Sequence, residues 1–572
     1  MTRARFILAL PCGSLALPGR ALRIEPEPCR LLADGPRLWI GEDTPTVDLG
    51  EAGHAIGILF RRDGAQRVRD GLETVACSGL ETASQLIAEF WGAYVAILRM
   101  PGDELALMSD PSGLCPVYCS RSPTHFIATS DPRLFERVTG KSSSIAWSAL
   151  RSFLAHPELR TQETCLSGVE ELVPGALHFP HENRTQPIWS PSAFIPRAPY
   201  PRLDDAARDL RDIAIKVMGA WADTLGSVVV AASGGVDSSL ICAALSEGAK
   251  DFSCATLSTA DRSGDERAYV ALLANSLGAK WTGRIYDPTG FDPISPASQG
   301  LPRPSRRSFV GSIDALLADC AHELGADLVF DGNGGDNMFC FLHSAAPVVD
   351  RLYAEGPGRG VLETLVAMCQ ATEADLSTMV RASIRRLRRG AGGERPADTR
   401  LLLLADGSAH AGSDLMPSWR ELDFGRQSGK RDHFELIMRT RNRIHGLGVG
   451  PRRFSPLMSQ PVLEFCLGMP TWLWFEGGIN RAIVRTALSG VLPPELLART
   501  SKAGPDSFIR RAFDYHRTIL RERLLDGLLE RHGIIDRKEV EQALATDIAS
   551  RDSIIYRLLD LAEAENWARS WT

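Results

Sequence analysis

The chain has 572 residues, of which 44% are hydrophobic and 23% are charged, and its formal net charge is −6. This balance excludes a disordered or fibrous protein, and the mildly negative charge argues against a nucleic-acid partner. No run approaches the roughly 18 apolar residues of a transmembrane helix, so we expect no membrane partner. At about 100–200 residues per domain, the length predicts two to four domains.

The N-terminal apolar run, residues 6–10, is shorter than the roughly 7–15 residues of a secretory signal and is predicted to form a strand. The 12 Cys are scattered without the spacing of a zinc site. That distribution favours free thiols in a reducing compartment. Together these features predict a cytoplasmic protein.

Short β-like segments alternate with turns in the first third of the chain, at residues 55–60, 94–98, 105–109, 117–119 and 126–128. One helix is predicted at residues 82–89, and the pattern is typical of packed sheets. Residues 187–201 contain five prolines, which cannot continue a helix or a central strand. We therefore predict one domain at residues 1–190 and a second at about 200–572. In the second, strands alternate with loops and helices, which indicates an α/β fold.

Residues 228–241 predict a buried strand, a loop rich in glycine and serine, and the start of an apolar helix. Gly234 and Gly235 let the backbone approach an anion closely. Hydroxyl groups and the free N–H groups of a first helical turn bind phosphate oxygens, helped by the positive helix end. Asp237 would repel a bare anion and suits the site only if a divalent cation bridges it to the phosphates. The predicted phosphate-binding residues are Ser233, Gly234, Gly235, Asp237, Ser238 and Ser239.

This strand–SGGxDSS–helix unit resembles the PP-loop of the ATP pyrophosphatase superfamily, whose members cleave ATP between the α and β phosphates. It lacks the GxxxxGK[ST] spacing and the lysine of a Walker A loop. The resemblance implies that the chain binds ATP. It also implies that the next predicted strand, residues 254–258, contacts adenine through Leu257.

A second glycine-rich loop follows the strand predicted at residues 327–330. Its glycines permit a tight loop with backbone donors facing inward. Together with the first loop, residues 331–339 resemble the SGxGxDxxF motif of asparagine synthetases and β-lactam synthetases. Because the Asp residues of the two loops share magnesium in that family, the resemblance implies that Asp237 and Asp336 hold Mg²⁺. It places Gly332 at the nucleotide, and Asn333, Gly334 and Asn337 at the second loop facing the substrate.

Near the C-terminus, residues 493–506 resemble the LPxxxxxRxxKxG segment of the same family. The family carries an active-site lysine there, and Lys502 matches its position. A fixed cation neutralises charge that develops on the α-phosphate and the carbonyl during adenylation and acyl transfer. The resemblance therefore implies three catalytic residues, Lys502, Asp237 and Asp336.

The first domain resembles the class II glutaminase domain that precedes the synthetase in these enzymes, through residues 110–118 and 167–175. A class II glutaminase uses a Cys directly after the initiator Met, with its α-amine as base. Position 2 is Thr in this chain, and residues 56–61 lack the Asn of the family signature. We expect a degenerate glutaminase-like domain, an Ntn-type αββα sandwich. The whole chain is then α/β, with a C-terminal PP-loop ATP pyrophosphatase domain (adenine nucleotide α-hydrolase-like) that has helical additions.

Asn333 distinguishes the possible reactions. Among the enzymes that this chain resembles, asparagine synthetases carry Glu and β-lactam synthetases carry Tyr at this position. Asn cannot act as a base. Residues 333–341, 301–305 and 470–474 look like those of lasso peptide macrocyclases. Such an enzyme adenylates an Asp or Glu side chain of a leader-cleaved precursor peptide and joins it to the peptide's N-terminal amine. The implied partners are the precursor (core) peptide and the leader peptidase and leader-binding protein of the same pathway.

Two alternatives stay open at the level of the sequence. One is an amide ligase that acts on a small substrate, of the β-lactam synthetase or asparagine synthetase type. The other is a non-catalytic nucleotide-binding scaffold. The presence of Asp237, Asp336 and Lys502 together argues against the scaffold, because a degenerate domain has no reason to keep all three.

Overall fold

The computed structural model describes most of the chain. The described residues are 4–11, 37–41, 43–69, 71–72, 79–102, 104–140, 142–260, 264–305, 309–326, 328–389, 397–403, 426–441, 446–447, 452–499, 506–545 and 553–572. Lys502 and Thr2, both singled out from the sequence, lie outside these residues. In the described part, no helix is both long enough and apolar enough to cross a lipid bilayer.

Two antiparallel sheets occupy the first third of the chain. Sheet one has the spatial order β2-β1-β8-β7-β9, with β1 (Phe6–Pro11), β2 (Arg37–Ile40), β7 (Tyr118–Arg121), β8 (His125–Thr129) and β9 (Val169–Glu171). Sheet two has the order β11-β10-β6-β5-β4-β3, with β3 (Thr46–Asp48), β4 (Gly53–Arg61), β5 (Phe90–Arg99), β6 (Leu105–Ser109), β10 (Ala176–Phe179) and β11 (Arg184–Pro187). Each strand that the sequence predicted between residues 55 and 128 coincides with or overlaps a strand of these two sheets.

The two sheets pack face to face, with helices on their outer faces. Side chains of a strand alternate between its two faces. Accordingly Phe6, Leu8 and Leu10 of β1 lie in the core between the sheets. Ile7 and Ala9 instead contact the layer that contains α2 (Leu134–Thr139) and α3 (Trp147–Ala155). Helix α1 (Gly79–Glu89) packs against β5 on the far side. The predicted four-layer order, helix–sheet–sheet–helix, is therefore present.

A third sheet begins after the proline-rich segment and consists of parallel strands. Its spatial order is β14-β13-β12-β15-β16, with β12 (Val228–Ala231), β13 (Phe252–Ser258), β14 (Lys280–Ile285), β15 (Leu328–Asp331) and β16 (Arg453–Phe454). Connecting and flanking helices are α4 (Leu203–Leu225), α5 (Val236–Glu247), α6 (Arg267–Ser276) and α7 (Val310–Glu323). Starting from the central strand β12, β13 and β14 follow on one side and β15 and β16 on the other. This strand order is typical of doubly wound nucleotide-binding folds.

The remaining described helices surround this sheet. They are α8 (Gly335–Met338), α9 (Ala346–Glu355), α10 (Arg359–Thr372), α11 (Leu376–Arg389), α12 (Ser428–Thr440), α13 (Gln460–Gly468), α14 (Ala482–Ala487), α15 (Pro494–Leu497), α16 (Asp506–Leu525), α17 (Leu528–Arg531), α18 (Arg537–Ala545) and α19 (Ser553–Arg569). The strands of the first two sheets all precede residue 190, and those of the third all follow residue 200. The exact domain bounds stay a prediction.

A buried aromatic group joins the second and third sheets. The ring of Trp221 on α4 lies 4.9 Å from Phe60 and 5.8 Å from Trp91, measured between ring centroids. On its other side it lies 4.5 Å from Phe454. Its indole N–H donates to the hydroxyl of Ser459 at 2.8 Å. Helix α4 therefore packs the glutaminase-like sandwich onto the third sheet through one side chain.

A buried ion-pair group joins the first sheet to the loop that follows β14. Glu171 accepts hydrogen bonds from Arg160 at 2.7 and 2.8 Å and from Arg303 at 2.7 Å. Burial alone would raise the pKa of Glu171, but the two guanidinium groups outweigh it and lower the pKa. The carboxylate is therefore ionised and fully paired, as a buried charge needs to be.

Candidate active site

The two glycine-rich loops lie next to each other at one edge of the parallel sheet. Strands β12 and β15 are neighbours and run in the same direction, so the loops that follow them leave from the same edge. Along the chain, the strands after β12 are first added on the β13 side of the sheet and later on the β15 side, so the strand order reverses between β12 and β15. Ligands of such sheets bind at this point, outside the carboxyl ends of the strands.

The first loop presents an uncapped helix end. Gly234 has a left-handed φ of 65°, which favours glycine. Helix α5 begins after Gly235, and no side chain caps its first N–H groups. The Ser238 hydroxyl donates to the Gly235 carbonyl at 3.2 Å, and the Ser233 hydroxyl accepts from the Gly235 amide at 3.3 Å. In the described part of the chain, the buried Ser239 hydroxyl has no hydrogen-bond partner. The loop thus combines a helix N-terminus with hydroxyl groups, as a phosphate site requires.

Arg499 fixes the first loop from outside. Its guanidinium donates to the Ser233 carbonyl at 2.6 Å and to the Glu266 carboxylate at 2.5 Å. It also lies 4.1 Å from the centre of the Tyr269 ring. Glu266 stands directly before α6, which begins at Arg267, and its carboxylate pairs with Arg499. Arg499 is the arginine of the RxxK pattern, so the signal was present, although we had assigned a role only to Lys502.

The second loop lies directly against the first. A Cβ atom at Gly335 would come within 2.4 Å of Asp237 Cγ, and one at Gly332 within 3.3 Å of the Ser238 amide. Gly334 has a φ of 90°, and a Cβ there would meet Met458 Sδ at 2.5 Å. Glycine is therefore needed at these positions for the two loops to approach each other.

The two predicted metal-binding carboxylates face one cation, and that cation is Arg481. Its Nε lies 3.4 Å from Asp237 Oδ1, and a terminal nitrogen pairs with Asp336 Oδ1. The side chains of Asp237 and Arg481 are 13% and 12% exposed, and that of Asp336 is 39% exposed. The loops therefore bring Asp237 and Asp336 together, as predicted. Arg481 was missed, because nothing in its local sequence marks it.

This donor set fits Mg²⁺ bound together with phosphate. Two carboxylates that converge on a cation are ligands that a hard divalent ion prefers. Among the described residues, no group of three or more His, Cys, Asp or Glu side chains could hold a metal. Asp237 and Asp336 would then supply two ligands, and the phosphate oxygens of the nucleotide and water the others.

The two asparagines of the second loop have protein partners. The Asn333 amide donates to the Asp331 carboxylate at 3.1 Å, and Ser455 donates to the same carboxylate at 2.8 Å. The Asn337 amide donates to the Leu436 carbonyl at 2.7 Å and to a second acceptor on α12. Asn333 therefore lies in the predicted loop beside the nucleotide site, whereas Asn337 ties that loop to α12. Their predicted role toward a substrate stays a prediction.

Leu257 lies on β13 and is half-buried. It packs against the apolar cluster that contains Val229, Ala255 and Leu317 of α7. This places it on the strand next to β12, close to the carboxyl edge of the sheet. The predicted contact with adenine stays a prediction.

A buried lysine behind the second loop was not foreseen from the sequence. Lys430 is 2% exposed, and its ammonium donates to the Cys466 carbonyl at 3.2 Å. Burial lowers the pKa of Lys430 to about 8. One turn further along α12, His433 is bonded to the Met338 carbonyl at 2.8 Å. Burial together with Lys430 holds the pKa of His433 well below its usual range, so it is neutral and supports the loop as a hydrogen-bond donor.

The C-terminal helix holds the loop that follows β14. Glu563 of α19 is fully buried and accepts from the Ala297 and Ser298 amides at 3.3 and 3.1 Å. The hydroxyls of Ser298 and Ser305 donate to it at 2.6 and 3.2 Å. Burial outweighs these bonds and raises the pKa of Glu563 to about 7.

This shift predicts a pH-dependent stability that Glu563→Gln removes. The unfolded side chain has a pKa near 4.5, so the folded state holds the proton more tightly. The stabilisation is present below pH 4.5 and is lost as the pH rises through about 7. As the pH rises across this range, the wild type should lose about 3 kcal/mol of unfolding free energy. Glu563→Gln has no carboxyl group to titrate at this position, so it should not show this loss.

Unfolding by urea at about pH 5 and about pH 8 measures this difference. Glu541→Gln is the matched control, because Glu541 is half exposed and pairs with Arg521 on the surface. Its difference from the wild type should not change with pH. A pH-independent difference for Glu563→Gln would contradict the assignment.

Comparisons with known proteins identify the family of the chain. The family model described as asparagine synthase matches residues 224–569, which is more than half of the chain. No curated protein matches at a significant level. Two solved structures show a partial likeness. One is titled the allosteric regulatory enzyme of purine biosynthesis, with 11% identity, a TM-score of 0.20 and coverage of 58% of this chain and 84% of that one.

The other is glutamine phosphoribosylpyrophosphate amidotransferase from B. subtilis complexed with ADP and GMP. It has 10% identity and a TM-score of 0.18, and it covers 58% of this chain and 85% of that one. TM-scores this low carry no information on function. The asparagine synthase match, by contrast, spans both glycine-rich loops and the segment of Arg481 and Arg499. The chain therefore belongs to the asparagine synthase family and has the domain of an ATP-dependent, amide-forming ligase.

Proposed function

We propose that this ligase is a lasso peptide macrocyclase, which joins an Asp or Glu side chain of a cleaved precursor peptide to the peptide's own N-terminal amine. The observation that supports this most is the position of Asn333. It stands where the related enzymes carry Glu or Tyr, and its amide is bonded to Asp331. Since an amide cannot take a proton from a nucleophile, the substrate has to supply an amine that is already reactive.

The first step is adenylation. ATP would bind at the first loop, residues 233–239, and Asp237 together with Asp336 of the second loop would hold Mg²⁺. The metal would neutralise phosphate charge. A side-chain carboxylate oxygen of the peptide attacks the α-phosphorus, the bond to the β-phosphate breaks, and pyrophosphate leaves. The N-terminus of α5 would stabilise the phosphate charge during this step.

The second step closes the ring. The neutral N-terminal amine attacks the acyl carbon, the bond to AMP breaks, and the amine releases one proton to solvent. Because an α-amine has a pKa near ~8, a substantial share of it is neutral without a strong base. Holding the two reacting ends of the peptide together supplies most of the acceleration. Lys502 would offset the negative charge that develops on the carbonyl and the α-phosphate.

The glutaminase-like sandwich has no ammonia-forming role in this proposal. We expect it to act as a structural support for the synthetase domain. The buried contacts of Trp221 and Glu171 fit that role. The expected partners are the core peptide and the leader peptidase and leader-binding protein of the same pathway.

The test is pyrophosphate release with Mg-ATP and a candidate precursor peptide, with and without the leader-cleaving protease. We expect release that depends on the cleaved peptide, together with AMP and a product lighter by one water molecule. Pyrophosphate release with a small amino acid, and none with any peptide, would instead favour an amide ligase for small substrates. ATP binding without pyrophosphate release from any acceptor would favour a scaffold.

A further inference from the structure

The Arg481 guanidinium occupies the place where the two metal-binding carboxylates converge. It contacts both Asp237 and Asp336, which come from loops about 100 residues apart in the chain. Two carboxylates this close repel each other unless a cation lies between them. In this structure, the tethered side chain of Arg481 is such a cation.

The backbone at Arg481 is held in place by its surroundings. The neighbouring Asn480 accepts two bonds from Arg485, at 2.8 Å to its carbonyl and 3.1 Å to its side-chain oxygen. Arg481 itself has a left-handed φ of 55°, which a non-glycine residue adopts only where its surroundings impose it. Its guanidinium also lies 4.9 Å from the centre of the Phe341 ring. From this backbone position the Arg481 side chain contacts Asp237, Asp336 and the Phe341 ring at the same time.

We propose that Arg481 is the internal counter-ion of the metal site and exchanges with Mg²⁺ when the nucleotide binds. This inference rests on the proposed binding of Mg-ATP at the two loops. A guanidinium and a hydrated divalent ion cannot occupy the same space between Asp237 and Asp336. A tethered cation is always present at a high effective concentration, so free Mg²⁺ competes poorly with it.

The nucleotide changes this competition in two ways. Its phosphate oxygens add ligands for the metal, and its negative charge offers the displaced guanidinium a new partner. Metal and nucleotide should therefore bind with positive coupling, and Arg481 should be the residue that carries the coupling. The site would be protected from free divalent cations in the absence of ATP.

The test is titration of the nucleotide-free protein with Mn²⁺ as the probe, with the free ion counted by electron paramagnetic resonance. We expect Mn²⁺ to bind weakly to the wild type and at least about tenfold more tightly to Arg481→Gln. A factor of this size is typical of the coupling between two binding sites. The Mn²⁺ affinity of Arg481→Lys should lie between those of the wild type and Arg481→Gln. Lysine keeps the positive charge but lacks the planar guanidinium that contacts both carboxylates. The tighter binding should be lost again in Arg481→Gln combined with Asp237→Asn.

Arg284→Gln is the control, because this surface arginine pairs with Glu323 away from the loops and should bind Mn²⁺ as the wild type does. A thermal scan reports on folding: Arg481→Gln should melt lower than the wild type without a metal and should recover with Mn²⁺. If Arg481→Gln and Arg481→Lys both bind Mn²⁺ no tighter than the folded wild type, the proposal is wrong. None of these readouts needs a peptide, so they stand apart from the test of macrocyclisation.

Discussion

Replacing Asp237 with asparagine is expected to reduce peptide-dependent pyrophosphate release by about 10²–10³-fold, the loss that follows removal of one group that stabilises transition-state charge. Asparagine has nearly the same shape, so the loops should keep their places around Gly335. The charge that would hold Mg²⁺ is lost, and Asp336 alone would hold the ion more weakly. The measurement is the initial rate of pyrophosphate release at saturating ATP.

Asp265→Asn is the matched control for this change. Asp265 belongs to the same domain and pairs with Arg267 with 30% of its side chain exposed. Its removal should leave the rate close to that of the wild type. A folded Asp237→Asn enzyme that retains the wild-type rate across a range of Mg²⁺ concentrations would refute the metal-binding role.

Trp221→Ala is expected to lower the unfolding free energy by about 3–5 kcal/mol, the usual loss for a buried tryptophan. The side chain is fully buried and contacts Phe60, Trp91 and Phe454. Its removal leaves a cavity where α4 packs between the second and third sheets. It also leaves the Ser459 hydroxyl without its donor. The measurement is unfolding by urea, followed by circular dichroism.

Trp221→Phe separates the two contributions. It keeps an aromatic ring in the space but removes the indole N–H, so we expect a loss of about 1–2 kcal/mol. If Trp221→Ala proved no more destabilising than Trp221→Phe, the packing role of the indole ring would be wrong. Because the ring of Trp221 contacts residues of β4, β5 and β16, a refolded Trp221→Phe enzyme should keep most of its activity.

The sequence alone predicted the two loops and their meeting. Each loop follows a short run of β-branched or other apolar residues, which indicates a buried parallel strand. Glycines then mark the places where one loop has to approach the other, as Gly335 does at Asp237. These signals are local, because the conformation of a glycine-rich turn and the start of a helix depend on neighbouring residues.

The cation between the carboxylates could not be predicted in the same way. Arg481 follows Asp237 by more than 240 residues, and an arginine among the 64 basic residues of the chain has no local feature that marks it. Arg499 reaches Ser233 across 266 residues. Such contacts depend on how α14 and the segment after α15 pack against the sheet. The hydrophobic pattern of these two segments does not predict that packing.

The sequence by itself therefore determined the family resemblance, the layered sandwich, the α/β character of the second domain and the two glycine-rich loops whose residues are predicted to bind the nucleotide. Only the tertiary structure decided which groups neutralise Asp237 and Asp336, that Asn337 binds α12, and that Glu563 holds the loop after β14. The physical reason is the range of the interactions. Turn geometry and alternating burial act between near neighbours, whereas the pairing of charges depends on which distant elements the packed core brings together.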